Sequence, residues 1–232
     1  MPQIATGFVS WLASFYFKLR VKEIKIVGRE NLPTDDKGYV LVSNHRSYID
    51  PILIWLVTKK AVQFWMKTDI MPLGPLNIIL VWVVRVLFGT ITVARNKVDL
   101  SPIRKSKPAL QKGDWIGIFP EGTRNKKQVP VLQDGHIGAA FLAAKADAKI
   151  IPIAIQGTRG LFNPFEFILF TLKFWEWRRR PIITVNIGAP FSLLENSLQK
   201  REGWASHTRF ILYNIALLLP GELQGSFATE SI

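Results

Sequence analysis

The stretch YVLVSNHRSYIDPILIWLVTKK, residues 39–60, carries the signals of one strand, one turn and one helix. Residues 39–43 form a short apolar run of the kind that is buried in a parallel sheet. Residues 51–60 are predicted to form a helix, because Pro51 suits the first helical turn and two lysines suit the C-terminal end. This strand–turn–helix unit favours an α/β fold.

His45 and Asp50 lie in the turn of this unit. They are five residues apart, whereas neighbours on one helix face are three or four apart, so they meet only if the chain turns between them. A histidine with a pKa near 6.5 accepts a proton from an attacking hydroxyl, and a carboxylate on its other nitrogen fixes the tautomer. The alternatives are a structural histidine and an Asp50 that caps the helix before Pro51.

Similar strand and helix patterns alternate along the rest of the chain. The predicted strands are residues 21–28, 61–66, 90–94, 115–119, 150–155 and 181–188, and the predicted helices lie within 76–88, 136–146 and 204–219. Pro108 is expected to limit any helix within 101–113. The alternation predicts an α/β fold with a mostly parallel central sheet flanked by helices. His45, at the carboxyl end of a strand, would lie where such sheets place their binding crevices.

The composition is both basic and apolar. Thirty Lys and Arg residues against 17 Asp and Glu residues give a net charge of +13, and 48% of the residues are hydrophobic. This combination favours an anionic membrane surface as a partner over nucleic acid. The chain has no cysteine, which excludes a disulfide or a thiol nucleophile, and its three histidines match no metal-ligand spacing. We therefore expect no metal site.

Residues 1–20 are predicted to form an N-terminal membrane-associated helix, and residues 21–232 one folded domain. Gln3–Phe17 is uncharged for 15 residues, short of the ~20 that a spanning helix needs. It is followed by Lys18 and Arg20 and has no features of a secretory signal, so we expect a helix that lies in one leaflet. A buried core helix is the alternative.

Two further segments bear on membrane contact. Residues 70–84 are uncharged but interrupted by two prolines and a glycine, which predicts a loop and a buried or interfacial helix. Residues 161–181, LFNPFEFILFTLKFWEWRRRP, hold seven aromatic side chains in their first 17 positions and then three consecutive arginines. Core packing is one interpretation. We favour contact with lipid headgroups, which suits both the rings and the guanidinium groups.

Two more motifs end at strand termini. In WIGIFPEGTRN, residues 115–125, Gly122 lets the backbone approach an anion and Arg124 offers a planar fork that matches phosphate oxygens. In GTITVARN, residues 89–96, Gly89 precedes Arg95 by six residues. Both arginines follow predicted strands, as His45 does.

Together these motifs resemble the four blocks of the glycerolipid acyltransferases, most closely the 1-acyl-sn-glycerol-3-phosphate acyltransferases. The resemblance covers about residues 28–188 and rests on Asn44-His45-x-x-x-x-Asp50, Gly89-x-x-x-x-x-Arg95, Phe119-Pro120-Glu121-Gly122-Thr123-Arg124 and Ile151-Pro152-Ile153. There are two departures. Asn125 stands where the family commonly has a serine, and His136 stands where it often has a lysine.

The resemblance implies an acyltransferase domain and an acyl transfer to lysophosphatidic acid that gives phosphatidic acid in phospholipid synthesis. The donor would be acyl-CoA or acyl-carrier protein, with no cofactor, and the enzyme would be monotopic or peripheral on the cytoplasmic face of a membrane. The implied catalytic residues are His45 and Asp50, and the implied substrate-binding residues are Arg95, Glu121, Gly122, Thr123 and Arg124.

Three other functions are compatible with these motifs. The acceptor of an acyltransferase could be glycerol 3-phosphate or another lysophospholipid. A lipid phosphate hydrolase would also use His, Asp and Arg, but it would release inorganic phosphate. A non-enzymatic anionic-lipid-binding membrane protein would bind liposomes without needing His45.

Overall fold

A computed structural model describes residues 3–67, 89–93, 99–125, 131–161, 180–193 and 201–227. Four predicted features therefore lie outside the described residues: the helix within 76–88, the apolar run 70–84, Arg95, and all but the ends of the aromatic segment 161–181.

Five helices and seven strands are described. The helices are α1 (Gln3–Arg20), α2 (Asp50–Thr58), α3 (Ser101–Gln111), α4 (Gly138–Ala146) and α5 (Arg201–Ala216). The strands are β1 (Glu23–Val27), β2 (Val40–Ser43), β3 (Val62–Lys67), β4 (Ile91–Val93), β5 (Trp115–Ile118), β6 (Ile150–Gln156) and β7 (Ile182–Ile187). Each strand overlaps one that the sequence pattern predicts.

The strands form one sheet in the order β1-β7-β6-β2-β5-β3-β4. All neighbours are parallel except β6 and β7, which are antiparallel. The prediction of an α/β fold with a mostly parallel central sheet is confirmed. β2 lies between β5 and β6, so the loops that follow these three strands emerge at the same edge.

Both faces of the sheet are covered by apolar side chains. Alternate residues of β2 point to opposite faces: Val40 and Val42 pack in the cluster that contains α4 and α5, and Leu41 packs in the cluster that contains α2. All four residues of β2 are buried. This explains why the strand reads as a continuous apolar run and not as an alternating one.

α3 continues through Pro108 and ends at Gln111, three residues beyond the point where we expected the proline to limit it. The proline removes a single helical hydrogen bond, the one to the carbonyl of Arg104. The buried face of the helix compensates for this loss, because Leu110 packs in the core and Ser106 Oγ accepts a hydrogen bond from Trp65 Nε1 at 2.8 Å. Tertiary packing here outweighs local propensity.

The C-terminal half of α1 packs on the domain with one face only. Phe17 is buried in the core, and the Tyr16 hydroxyl donates a hydrogen bond to the carbonyl of Leu161. On another face, Trp11 and Phe15 are 62% and 49% exposed, and their rings stack with centroids 5.7 Å apart. None of the described helices is both long and apolar enough to cross a membrane.

Candidate active site

The carboxylate of Asp50 holds the turn between β2 and α2. Its Oδ2 lies 3.0 Å from Nδ1 of His45 and accepts hydrogen bonds from the backbone N–H groups of Arg46 and Ser47, each at 2.7 Å. Asp50 is fully buried at the start of α2, where the helix dipole also favours a negative charge. The carboxylate thus bonds back to the turn that precedes the helix and brings His45 against it.

Asn44 frees the backbone to leave the sheet at this point. Its Oδ1 accepts a hydrogen bond from the backbone N–H of Ile155 at 2.8 Å, and its Nδ2 donates to the carbonyl of the same residue at 2.9 Å. The side-chain amide therefore pairs with β6 as the next residue of β2 would have done. Because β6 stays satisfied, the chain can turn at Asn44 without leaving buried polar groups unpaired.

The loop that follows β5 holds His45 by its backbone. The N–H of His45 donates to Oε1 of Glu121 at 2.9 Å, and the carbonyl of His45 accepts from the backbone N–H of Asn125 at 2.8 Å. Asn125 is itself buried, and its Nδ2 donates to the carbonyl of Val131 at 2.7 Å. Both backbone groups of His45 are thus fixed by the Glu-Gly-Thr-Arg-Asn segment.

A stack of rings fixes the plane of the His45 imidazole. The imidazole lies on Phe119 with centroids 4.0 Å apart and an interplanar angle of 18°, and Phe119 lies on Phe64 at 5.6 Å and 14°. Gly117 leaves room for this stack, since a Cβ there would come within 2.3 Å of the Phe64 ring. The ring is held by Phe119 and by the Asp50 bond to Nδ1, which leaves Nε2 for chemistry.

Arg124 lies beside the same turn. Its Nη2 donates to the Tyr48 hydroxyl at 2.6 Å, and its Cζ is 3.4 Å from the centroid of the Tyr48 ring. The preceding Gly122 has a φ of +63°, and a Cβ there would come within 2.5 Å of the His136 ring. His136 thus packs against this glycine. Any side chain at residue 122 would collide with it.

Glu121 is buried and has an altered proton affinity. Burial raises the pKa of Glu121 to about 7, although the hydrogen bond from the His45 backbone acts in the opposite direction. Its Oε1 accepts the hydrogen bond from the N–H of His45, while its Oε2 is buried without a hydrogen-bond partner among the described residues. A carboxyl group in this setting accepts a proton near neutral pH.

The family model for Acyltransferase matches residues 23–156, which is more than half of the chain and includes the whole His45 turn and the Glu121 loop. The chain belongs to the acyltransferase family. The family that the four sequence blocks predict is therefore confirmed.

Relatives of this acyltransferase include plant and bacterial enzymes. It is 34% identical over 145 residues to the chloroplastic 1-acyl-sn-glycerol-3-phosphate acyltransferase of Arabidopsis thaliana, covering 59% of this chain and 36% of that protein. It is 27% identical over 137 residues to the 1-acyl-sn-glycerol-3-phosphate acyltransferase of Bacillus subtilis, covering 58% and 63%. The chain spans between 36% and 46% of the length of the plant and algal relatives that it matches.

The crystal structure of the 1-acyl-sn-glycerophosphate acyltransferase from Thermotoga maritima has the same fold. The TM-score is 0.59 at 20% sequence identity, and the match covers 89% of this chain and 76% of that one. The likeness supports the α/β architecture with its mostly parallel sheet.

Most residues of the predicted site come together in this acyltransferase. His45 and Asp50 are in contact, Glu121 and Arg124 bond to the His45 turn, Gly122 and Thr123 lie in the same loop, and Arg95 is outside the described residues. Oε1 of Glu121 accepts a hydrogen bond from the His45 backbone, whereas the resemblance implies that Glu121 is a substrate-binding residue. In the described ranges, no three His, Asp or Glu side chains are grouped to hold a metal ion.

Four supporting residues were not predicted as part of the site: Asn44, Tyr48, Phe119 and Asn125. Asn44 and Phe119 lie within the sequence motifs, but their partners are remote in sequence. Asn125, which stands where the family commonly has a serine, is buried and bonds to both His45 and Val131. The sequence signal for Asn125 is a polar side chain directly after the predicted substrate-binding residue Arg124.

The raised pKa of Glu121 predicts a pH-dependent loss of stability. A carboxyl group whose folded pKa is above its unfolded value stabilises the folded state below about pH 4.5, and this contribution is lost as the pH rises to about 7. Glutamine resembles the protonated carboxyl group. We therefore expect the free energy of unfolding of Glu121→Gln to exceed that of wild type by an amount that grows to about 3 kcal/mol as the pH rises through this window. Urea unfolding at a series of pH values measures the difference.

Glu30→Gln removes an exposed carboxylate and serves as the matched control. A Glu121→Gln protein whose stability followed that of wild type at every pH would show that Glu121 does not titrate in this window.

Proposed function

We propose that this protein transfers an acyl chain from a thioester donor to the free hydroxyl of lysophosphatidic acid, which gives phosphatidic acid for phospholipid synthesis. The observation that carries the proposal is the His45–Asp50 pair with Arg124 beside it, in a chain that belongs to the acyltransferase family. The names of the relatives, 1-acyl-sn-glycerol-3-phosphate acyltransferases, support this acceptor.

His45 acts as the general base. Its Nδ1 faces Asp50, so Nε2 accepts the proton of the acceptor hydroxyl as the oxygen attacks the thioester carbon. The carbon–oxygen bond forms, the tetrahedral intermediate collapses, and the carbon–sulfur bond breaks. The proton then passes from the imidazolium to the departing sulfur. The buried Asp50 carboxylate stabilises the imidazolium while it carries the proton.

The acyl chain moves directly from donor to acceptor in this mechanism. The protein sequence contains no cysteine and no G-x-S-x-G motif, so it lacks the usual nucleophiles for an acyl-enzyme. Acyl-CoA and acyl-carrier protein both present a thioester, and assays with purified protein and each donor distinguish them. The same assays with lysophosphatidic acid, other lysophospholipids and glycerol 3-phosphate identify the acceptor.

Arg124 binds the phosphate of the acceptor, together with Arg95. The stacking of Arg124 on Tyr48 orients the planar guanidinium, which suits bidentate contact with phosphate oxygens. Gly122 and Thr123 lie in the same loop, where the N–H of Gly122 donates to the carbonyl of Phe119 and the N–H of Thr123 adds to the phosphate contact. Glu121 contributes indirectly, because its hydrogen bond to the His45 backbone positions the base.

The protein works at the cytoplasmic face of an anionic membrane. Residues 1–20 form the membrane-associated helix and residues 21–232 the acyltransferase domain. The exposed Trp11 and Phe15 rings on α1 are the described side chains that support this, because aromatic rings partition to the headgroup region. The net charge of +13 adds attraction to anionic lipid. The aromatic and arginine-rich composition of residues 161–181 also suits lipid headgroups.

The first prediction of the proposed function concerns the catalytic pair. His45→Ala is expected to lower kcat by about 10²–10⁴-fold, because general-base catalysis is lost. Asp50→Asn is expected to lower kcat strongly with little change in the acceptor KM. Steady-state assays that follow phosphatidic acid by mass spectrometry measure both.

His207→Ala changes a histidine on α5 and serves as the control for the loss of an imidazole. Near-normal turnover in a folded His45→Ala protein would rule out the mechanism.

The second prediction concerns the phosphate contact. Arg124→Ala is expected to raise the KM for lysophosphatidic acid by about tenfold or more and to leave the donor KM nearly unchanged. Arg124→Lys is expected to restore only part of the loss, because the bidentate geometry is absent. An equal loss with a phosphate-free monoacylglycerol acceptor would assign Arg124 another role.

The third prediction concerns membrane binding. The double variant Trp11→Ser/Phe15→Ser is expected to bind phosphatidylglycerol vesicles more weakly than wild type, because apolar insertion is lost. The difference is expected at high salt as well as at low salt, since salt screens charge attraction only. Activity on detergent-solubilised acceptor is expected to persist. Vesicle co-sedimentation at low and high salt measures the effect, with Leu100→Ser as a control at another exposed apolar residue.

Wild-type vesicle binding by the double variant would place the membrane contact elsewhere on the protein.

A further inference from the structure

A second group of cationic side chains lies at the edge of the sheet that carries His45. Arg46 follows the end of β2 by three residues, and Arg159 follows the end of β6 by three residues. β2 and β6 are parallel neighbours, with Ser43 paired to Ile153, so both loops leave the sheet at the same edge. Arg124 follows β5, on the opposite side of β2. The mechanism above uses Arg124 and assigns no role to the other two.

The Arg46 side chain is incompletely satisfied. Its Nε is buried and has no hydrogen-bond partner. Leaving a donor of a charged group buried and unpaired is costly. Burial lowers the pKa of Arg46, the negative charges of Asp50 and Glu121 oppose this change, and Arg159 adds to it by charge repulsion. The parallel pairing of β2 and β6 sets Arg46 and Arg159 in adjacent loops. An anion bound between the two guanidinium groups would relieve their repulsion and give Arg46 a partner.

The loop that carries Arg159 is held tightly. Gly157 has a φ of +84°, and a Cβ there would come within 2.2 Å of the carbonyl oxygen of Ile182. Thr158 is fully buried, its carbonyl accepts a hydrogen bond from the N–H of Leu161, and its Oγ1 has no partner. Arg159 is exposed at the end of this fixed segment. A fixed loop holds a cation at the site at little cost in conformational entropy.

We propose that Arg46 and Arg159 form a second anion subsite beside His45, which binds a phosphate group of a substrate on the β6 side of the site. The assignment to a substrate rests on the proposed acyl transfer. Two phosphates have the required chemistry: the monoester of the acceptor, and the phosphate of the pantetheine arm of the donor. If the ligand is the acceptor phosphate, the subsite and Arg124 both contact it. If the ligand is the pantetheine phosphate, the subsite orients the thioester of the donor.

Inorganic phosphate is a probe of the subsite that needs no turnover. In full-length Arg124→Gln protein, the remaining increase of Tm with phosphate reports on other anion sites. We expect the increase to persist in Arg124→Gln and to fall strongly when Arg159→Gln is added, with an apparent Kd raised about tenfold. Adding Arg104→Gln, at an exposed position on α3, is the matched control and is expected to change nothing.

Kinetics then identify the source of the phosphate. If the acceptor supplies it, Arg159→Gln raises the KM for lysophosphatidic acid about tenfold and not that for monoacylglycerol. If the donor supplies it, the same variant raises the KM for acyl-CoA and not that for S-acyl-pantetheine, which has no phosphate. Arg46→Gln is expected to follow Arg159→Gln. Because Arg159 is exposed, its variant tests the subsite even if Arg46→Gln does not fold.

An Arg124→Gln/Arg159→Gln protein with the same phosphate-dependent Tm as Arg124→Gln/Arg104→Gln would overturn the subsite. If phosphate protection is lost as expected but wild-type protein acylates none of the acceptors, the subsite stands and the proposed function fails. Loss of protection with unchanged KM values for every substrate would overturn the assignment to a substrate.

Discussion

One buried carboxylate organises the candidate active site. Oδ2 of Asp50 lies 3.0 Å from Nδ1 of His45 and accepts hydrogen bonds from the backbone N–H groups of Arg46 and Ser47 at 2.7 Å each. Its Oδ1 is buried without a hydrogen-bond partner among the described residues. A carboxylate removed from water needs such partners, and this turn supplies them at Oδ2. The turn then fixes where the imidazole lies and which of its nitrogens is used. The same hydrogen bonds therefore fold the turn and set the geometry of the proposed catalytic pair.

The surrounding sheet makes that turn possible. β2 is flanked by β5 and β6, so three loops meet at one edge. The β6 side supplies backbone partners for Asn44, and the β5 loop supplies Glu121 and Asn125 for both backbone groups of His45. A catalytic base that is held at its backbone, ring face and Nδ1 loses little entropy when substrate binds. A base held in this way suits the direct acyl transfer that we propose.

The sequence predicts the strands and the His45–Asp50 pair because both depend on local patterns. Apolar runs mark buried strands, and the strand–turn–helix unit confines His45 and Asp50 to one connection. Contacts between distant residues are not readable in this way. Glu121 reaches a backbone amide 76 residues away, and Asn44 pairs with a residue 111 positions away. Pro108 shows the opposite failure, because core packing keeps a helix that local propensity would shorten.

If Asp50 holds His45 as the base, the neutral imidazole carries its proton on Nδ1. Selective ¹⁵N labelling of the three histidines, with His45→Gln to assign the signal, measures this tautomer directly by NMR. For neutral His45 we expect a protonated Nδ1 and an unprotonated Nε2, and a mixture of tautomers in Asp50→Ala. A neutral His45 with its proton on Nε2 would contradict the account, because that nitrogen then has no capacity to accept the hydroxyl proton.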